Sequence, residues 1–333
     1  MLEGSRSLAI GVLAAGSLAM SLLVADATAA VLSPAWSLTT VAAPSQFFPD
    51  TGRHAEECHS PGLAGQRCDT LYVVVENVGG APSEGPATIA LTLPGQVSLV
   101  PQGVDGEPLT PPVRCEEPSP REARCTFSQT VLSSGFVRMR AAVIVEPGAV
   151  SPIESQVSIS GGTPEPPIEA HVSTPIGSGH RPLAIEHFSA QATGPDGEPY
   201  TQADGHPTLF TTAASFTTER PEAGDLSPSE SVKDLVFYLP LGMLGNATVA
   251  QRCPASLVEG GGGVSACPPG TRVGNILVNN LGGIGVEEYE NDPSGGHGIY
   301  NVQPERGTPE EFAFPDTSQV LFMYTAIVRR NGA

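Results

Sequence analysis

From residue 34 to about residue 162, apolar side chains recur at every second position, and the runs are cut by Gly, Pro and Asn. Trp36 and Leu38 open the set. Leu71, Val73 and Val75 alternate with Tyr72 and Val74 and stop at Asn77-Val78-Gly79-Gly80, a turn signal. Ile89, Leu91 and Leu93 point one way until Pro94-Gly95, and Val157 with Ile159 runs into Gly161-Gly162. Val137, Met139, Ala141, Val143 and Val145 make another apolar face, with Arg138 and Arg140 on the side expected to meet solvent. Successive side chains of a strand point to opposite faces, so a period of two predicts strands with one buried face. Two such sheets packed face to face predict a sandwich of about seven strands.

The second half follows the same rule less regularly. Residues 184–191 and 208–217 are predicted strands, separated by Gly194-Pro195-Asp196-Gly197, whose Asp-Gly step favours a tight turn. Leu235, Phe237 and Leu239 alternate with Val236 and Tyr238 and stop at Pro240, which predicts a further strand. Residues 249–258 are a short helix candidate limited by Pro254, and 320–328 is the last predicted strand. Residues 163–182 are rich in Pro, then Gly, and are predicted to be a linker. The expected architecture is therefore all-β: two β-sandwich-like domains in tandem, at 34–162 and 183–333, behind a segment of different character at 1–30.

That first segment is an apolar run over residues 8–24, behind Arg6 and before Ala27-Thr28-Ala29. An apolar core followed by an A-x-A pattern is the form of a secretory signal peptide, with Ala27 and Ala29 marking cleavage after residue 29 or 30. Seventeen residues approach the ~20 that span a bilayer, so an uncleaved anchor is the alternative. A cleaved chain is expected to be soluble, and an uncleaved one to meet the membrane only through this N-terminal helix. Export decides how the six cysteines are read. They fall into local pairs, Cys58 with Cys68, Cys115 with Cys125, and Cys253 with Cys267. Nearest-neighbour disulfides are expected, although six cysteines allow fifteen pairings. Zinc is the competing use for His54, Cys58, His59 and Cys68, but His-x3-Cys-His-x8-Cys matches no common zinc spacing.

The net charge is −19 and Lys233 is the sole lysine, so no basic stripe exists to neutralise phosphates, and nucleic-acid binding is excluded. Gly (38) and Pro (33) suit many short strands joined by turns. Catalytic patterns are missing: there is no G-x-S-x-G, no H-E-x-x-H and no S-x-x-K. Gly260 to Gly263 lacks the Lys-Ser/Thr that would hold phosphates, and reads as loop. His180, His187 and His206 lie near acids in or beside predicted turns and are expected at the surface. The acidic stretch 287–292 offers clustered oxygens for calcium without the alternating spacing that wraps an ion. Asn246-Ala247-Thr248 matches a glycosylation acceptor. No cofactor is expected.

Two resemblances sit beside these readings. The run Leu71 to Gly79, then Ala87 to Pro94, then Cys125 and the long strand ending in Val157 to Gly161, resembles the immunoglobulin-like repeat domain of bacterial surface proteins. That resemblance implies spacer, stalk or adhesive roles. Tyr200 to Pro207, Asp234 to Asn246, the Cys253 and Cys267 pair with Gly274, and Ile299-Tyr300-Asn301 before Phe312-Ala313-Phe314 are similar to a group of uncharacterised secreted proteins of high-GC actinobacteria. Members of that group run on further, which implies that this chain is a fragment or an early-terminated copy. The functional expectation is an exported, non-enzymatic protein of the cell envelope or secreted fraction, serving as spacer, adhesive or recognition module. The alternative is a carbohydrate or cell-wall binding module of a longer exported enzyme. The expected partner is an envelope protein or polysaccharide.

Overall fold

The computed structural model describes residues 32–49, 68–107, 113–162, 166–220, 226–240, 243, 245–246, 248–259, 264–277, 297–316 and 319–326. The predicted leader with Ala27 and Ala29 lies outside them, as do His54, Cys58, His59, Gly260 to Gly263 and the acidic stretch 287–292.

The fold is all-β, and the described strands pair with one another antiparallel. Strands β1 (Trp36–Ala43), β2 (Asp69–Asn77), β3 (Ala87–Thr92), β4 (Val97–Glu107), β5 (Arg114–Ser119), β6 (Glu122–Phe127), β7 (Phe136–Val145), β8 (Ile153–Gly161) and β9 (Ile168–Thr174) build a sandwich. Its sheets run β1-β2-β7-β4 and β5-β6-β3-β8-β9. The alternating positions fill the space between them: Leu71, Val73 and Val75 meet Val137, Met139 and Ala141 on one side, and Ile89, Leu91, Val157 and Ile159 on the other. Each such side chain taken out of water contributes about 1.5–3 kcal/mol. Trp36 bridges the sheets, its ring edge-on to Phe127 at 5.9 Å and its indole N–H donating to the Gly161 carbonyl at 2.8 Å. Gly162, with φ +68°, lies against that ring, and a Cβ there would come within 2.9 Å of it.

Strand β9 falls inside the predicted linker 163–182. Ile168 to Thr174 pairs along β8, and Phe47 then fastens the open side, its N–H donating to the Pro175 carbonyl and its own carbonyl accepting from Gly177. The prolines at 164, 166 and 167 mask the alternation of Ile168, Ala170 and Val172 that follows them. An edge strand needs only one partner, so this weak pattern is sufficient.

Beyond the sandwich come β10 (Ile185–Thr193) and β11 (Leu209–Phe216), a two-stranded sheet, and the short pair β12 (Thr218–Glu219) and β13 (Ser227–Pro228). A single helical turn, α1 (Ala255–Leu257), starts after Pro254. A four-stranded meander closes the chain: β14 (Arg272–Ile276), β15 (His297–Val302), β16 (Glu311–Asp316) and β17 (Gln319–Tyr324). Leu235 to Leu239 forms no strand. The alternation is present, but among the described residues no neighbouring strand pairs with it, and all five residues are exposed.

The outer face of β1-β2-β7-β4 is not a solvent face. Arg138 is only 6% exposed and Arg140 is half-buried, contrary to the expectation for both. A two-sheet pattern read from sequence assigns the second face of each strand to water, whereas here elements from the C-terminal half lie over it.

Candidate functional site

On that covered face β2 presents Tyr72 and Glu76, and β7 presents Arg138 and Arg140. The Arg138 guanidinium sits 5.6 Å from the Tyr72 ring centre, a cation–π arrangement, and Tyr72 packs with Ala43 and Leu226. Arg140 holds Asp105 of β4, with Nε to Oδ2 at 2.9 Å.

Several contacts among the described residues fasten the C-terminal half to the sandwich. At one end the Pro195 carbonyl accepts from the N–H groups of Ser33 and Gly80, and the Thr193 hydroxyl donates to the Val78 carbonyl. The turn fits because Gly197, with φ +80°, lies against Ala35; a Cβ there would come within 2.1 Å of the Ala35 methyl. In the middle the Thr211 hydroxyl donates to Glu76 Oε1 at 3.2 Å. At the other end the Ser45 N–H donates to the Thr218 carbonyl, the Ser45 hydroxyl donates to Glu186 and accepts the Thr218 N–H, and Arg181 holds both Glu186 and the Ser45 carbonyl. Beside this, Arg220 donates to the Cys68 carbonyl and lies 3.7 Å from Asp69, whose Oδ2 accepts the Phe48 N–H at 2.8 Å. A further tie comes from β14, where the Asn275 amide donates to the Ser134 carbonyl and hydroxyl.

Burial sets the chemistry of the two carboxyls on β2. Asp69 is pushed up to about 7 by loss of solvent, with the Phe48 N–H and the Arg220 guanidinium pulling the other way. Glu76 is likewise pushed up to about 7 by burial, opposed only by the Thr211 hydroxyl. Sequence reasoning singled out neither residue. The available signal was their position: two acids bracketing the apolar run Leu71 to Val75, where a solvent-facing carboxylate gains nothing from strand burial.

The cysteines divide by what surrounds them. Cys115 and Cys125 are bonded directly across the β5–β6 pair, with Cα atoms 4.0 Å apart. Cys253 and Cys267 are bonded with Cα atoms 5.3 Å apart, and Cys253 is pinned to β15 by backbone bonds with Asn301 and Gln303. Cys68 is disulfide-bonded and buried at the start of β2. Of the singled-out histidines, His180 pairs with Glu219 at 2.7 Å, His187 is exposed on β10, and His206 is exposed in the loop before β11. Asn246 accepts from both the N–H and the hydroxyl of Thr248, so its side chain closes a local turn. Among the described residues, no three His, Cys, Asp or Glu side chains gather as a metal site, and no helix is long and apolar enough to cross a membrane.

The remaining surface feature is the β10–β11 hairpin. Along β11 the small residues Thr211, Ala213 and Ser215 are half-buried while Phe210, Thr212 and Ala214 are exposed. Phe188 on β10, 53% exposed, faces outward with its ring stacked on Phe237 at 6.0 Å. Beside it Tyr238 is 81% exposed. The hairpin thus turns its small polar face inward and its aromatic face out, the reverse of the usual arrangement for a half-buried sheet.

No protein family and no curated protein matches the sequence. Among solved structures, the chain is similar to the collagen-binding subdomain of the Enterococcus faecalis surface protein ACE, at 8% identity and a TM-score of 0.24, over 33% of this chain and 88% of that one. It is also similar to the collagen-binding domain of a Staphylococcus aureus adhesin, at 7% identity and a TM-score of 0.23, over 32% of this chain and 88% of that one. A third likeness is to the T6 backbone pilin of Streptococcus pyogenes, at 9% identity and a TM-score of 0.26, over 48% of this chain and 38% of that one. At these scores none assigns the chain to a family.

Proposed function

We propose that this protein is an exported, non-enzymatic module of the cell envelope or secreted fraction, and that it works as a spacer carrying a recognition surface. The observation that carries the reading is the outward aromatic face of the β10–β11 hairpin, held on a rigid sandwich. Exposed apolar groups gathered on one face mark surfaces that meet a partner. The leader ending in Ala27-Thr28-Ala29 and the local cystines support an oxidising compartment outside the cytoplasm. Recognition would then be surface complementarity with an envelope protein or polysaccharide, without cofactor.

The test is capture from envelope extracts with glycans retained, using the chain without its leader as bait. Retention of one polysaccharide or envelope protein, lost on Phe188→Ala with Phe210→Ala, is the expected result. Equal retention by wild type and the double variant overturns the reading. The second reading, a carbohydrate or cell-wall binding module of a longer exported enzyme, is favoured by the Phe188–Phe237 stack and the exposed Tyr238, since flat aromatic faces suit sugar rings. Retardation in affinity electrophoresis through a cell-wall polysaccharide, abolished by Tyr238→Ala, would select it.

A further inference from the structure

The interface between the sandwich and the hairpin contains one buried acid whose only partner among the described residues is a hydroxyl. Glu76 is 9% exposed, lies on the outer face of β2, and accepts from Thr211 across 135 residues of sequence. Its sister acid, Asp69, stands differently: a backbone N–H and the Arg220 guanidinium both face it. A charged carboxylate taken from water needs such donors, and one hydroxyl replaces little of its hydration.

Among the described residues, the other charged groups around Glu76 do not supply the deficit. From β7, Arg138 is turned over the Tyr72 ring. From β1, residues Trp36–Ala43 include no charged side chain. On the hairpin, Glu186 and His187 lie at the opposite end of β10 from Gln191, the residue paired with Thr211, and Glu186 is held by Arg181 and Ser45. In the adjoining turn, Asp196 Oδ1 accepts the Glu198 N–H. Asp105 on β4 is taken by Arg140.

We propose that Glu76 is a proton-operated latch: with its carboxyl protonated, the β10–β11 hairpin is held closed on the sandwich, and with its carboxylate charged the hairpin lifts. The neutral carboxyl carries no desolvation penalty and still accepts from Thr211. The charged form reaches water only if the hairpin moves away. Burial that holds the proton on Glu76 up to about 7 brings this exchange into the range between mildly acid and neutral surroundings. A two-stranded sheet is marginal by itself, so undocking also melts the β10–β11 ladder and uncovers its backbone amides. The latch stands on the interface geometry and is independent of where the protein is exported or what it binds.

Hydrogen exchange of the full chain at pH 5 and pH 8, corrected for intrinsic rates, tests it. Protection of amides in 185–216 is expected to fall on the order of fifty-fold between the two, while β3 and β8 amides hold. In Glu76→Gln, which keeps the neutral form at every pH, protection should stay high at both. Equal protection of the wild type at both pH values, or the same fall in Glu76→Gln, overturns the proposal. If that variant does not fold, carboxyl NMR of wild-type Glu76 decides: a midpoint near 7 supports the latch, and a midpoint near 4.5 removes it.

Discussion

The sandwich and the C-terminal half are built from the same kind of strand, yet they are held together by different means. In the sandwich one continuous core runs from Trp36 to Ile159, filled from both sheets. In the C-terminal half the core among the described residues is Cys253, Val258, Val264, Cys267, Val302 and Ala313, a third of it cystine. Its hairpin β10–β11 contributes to no core cluster among the described residues and is tied to Glu76 on β2 and to Val78 just beyond it. The difference teaches that a second half poor in core can still be ordered by leaning on a rich one, with polar contacts setting where it leans.

The largest break in that comparison comes from inside the sandwich. Leu71→Ala removes a fully buried side chain near the start of β2 and is expected to cost about 2–5 kcal/mol in denaturant unfolding, with both halves losing structure in one transition. Loss of the sandwich with the hairpin left intact would show that the hairpin does not depend on it.

Removing the cystines sharpens the contrast. Both close loops of similar length, with separations of 10 and 14 residues, so chain entropy assigns each roughly 3 kcal/mol. Cys115→Ser with Cys125→Ser should lower the midpoint of sandwich unfolding. Cys253→Ser with Cys267→Ser should instead produce an earlier, separate transition of the C-terminal sheet, read by calorimetry as a second peak. A single unchanged peak would count against the small C-terminal core.

The pH response lies on the boundary between the halves. Asp69 and Glu76 hold their protons more tightly folded than unfolded, so the stability they confer is fully present below the ordinary carboxylate range and is lost as pH rises through about 7. The melting temperature is therefore expected to fall from pH 5 to pH 8. Glu76→Gln should recover about 2–3 kcal/mol at pH 8 and much less at pH 5. A melting temperature that rises over this interval contradicts the sign. The smallest effect is at the surface: Phe188→Ala breaks a stacked pair that is already wet, and should cost less than about 1 kcal/mol in thermal unfolding while weakening partner capture.

The sandwich strands were legible because each carries its own period-two pattern between turn residues, as at Leu71 to Gly80 and Ile89 to Gly95. Strand β9 was hidden by the prolines before it, and the alternation of Leu235 to Leu239 promised a strand that the structure does not form. Both misreadings share a cause, since alternation reports which side chains can face a core but not whether a neighbouring backbone is present to pair. The candidate site was less legible still. Phe188 and Phe237 are 49 residues apart in sequence, and only the folded hairpin brings their rings into contact.

By itself the sequence determined the all-β class and the inward sets of the sandwich strands. These follow from local periodicity and composition, which every window of the chain carries within it. Only the tertiary structure decided that Arg138, Asp69 and Glu76 are buried and that Thr211 meets Glu76. Burial on a strand's second face depends on what another part of the chain lays over it, and no local pattern encodes that arrival.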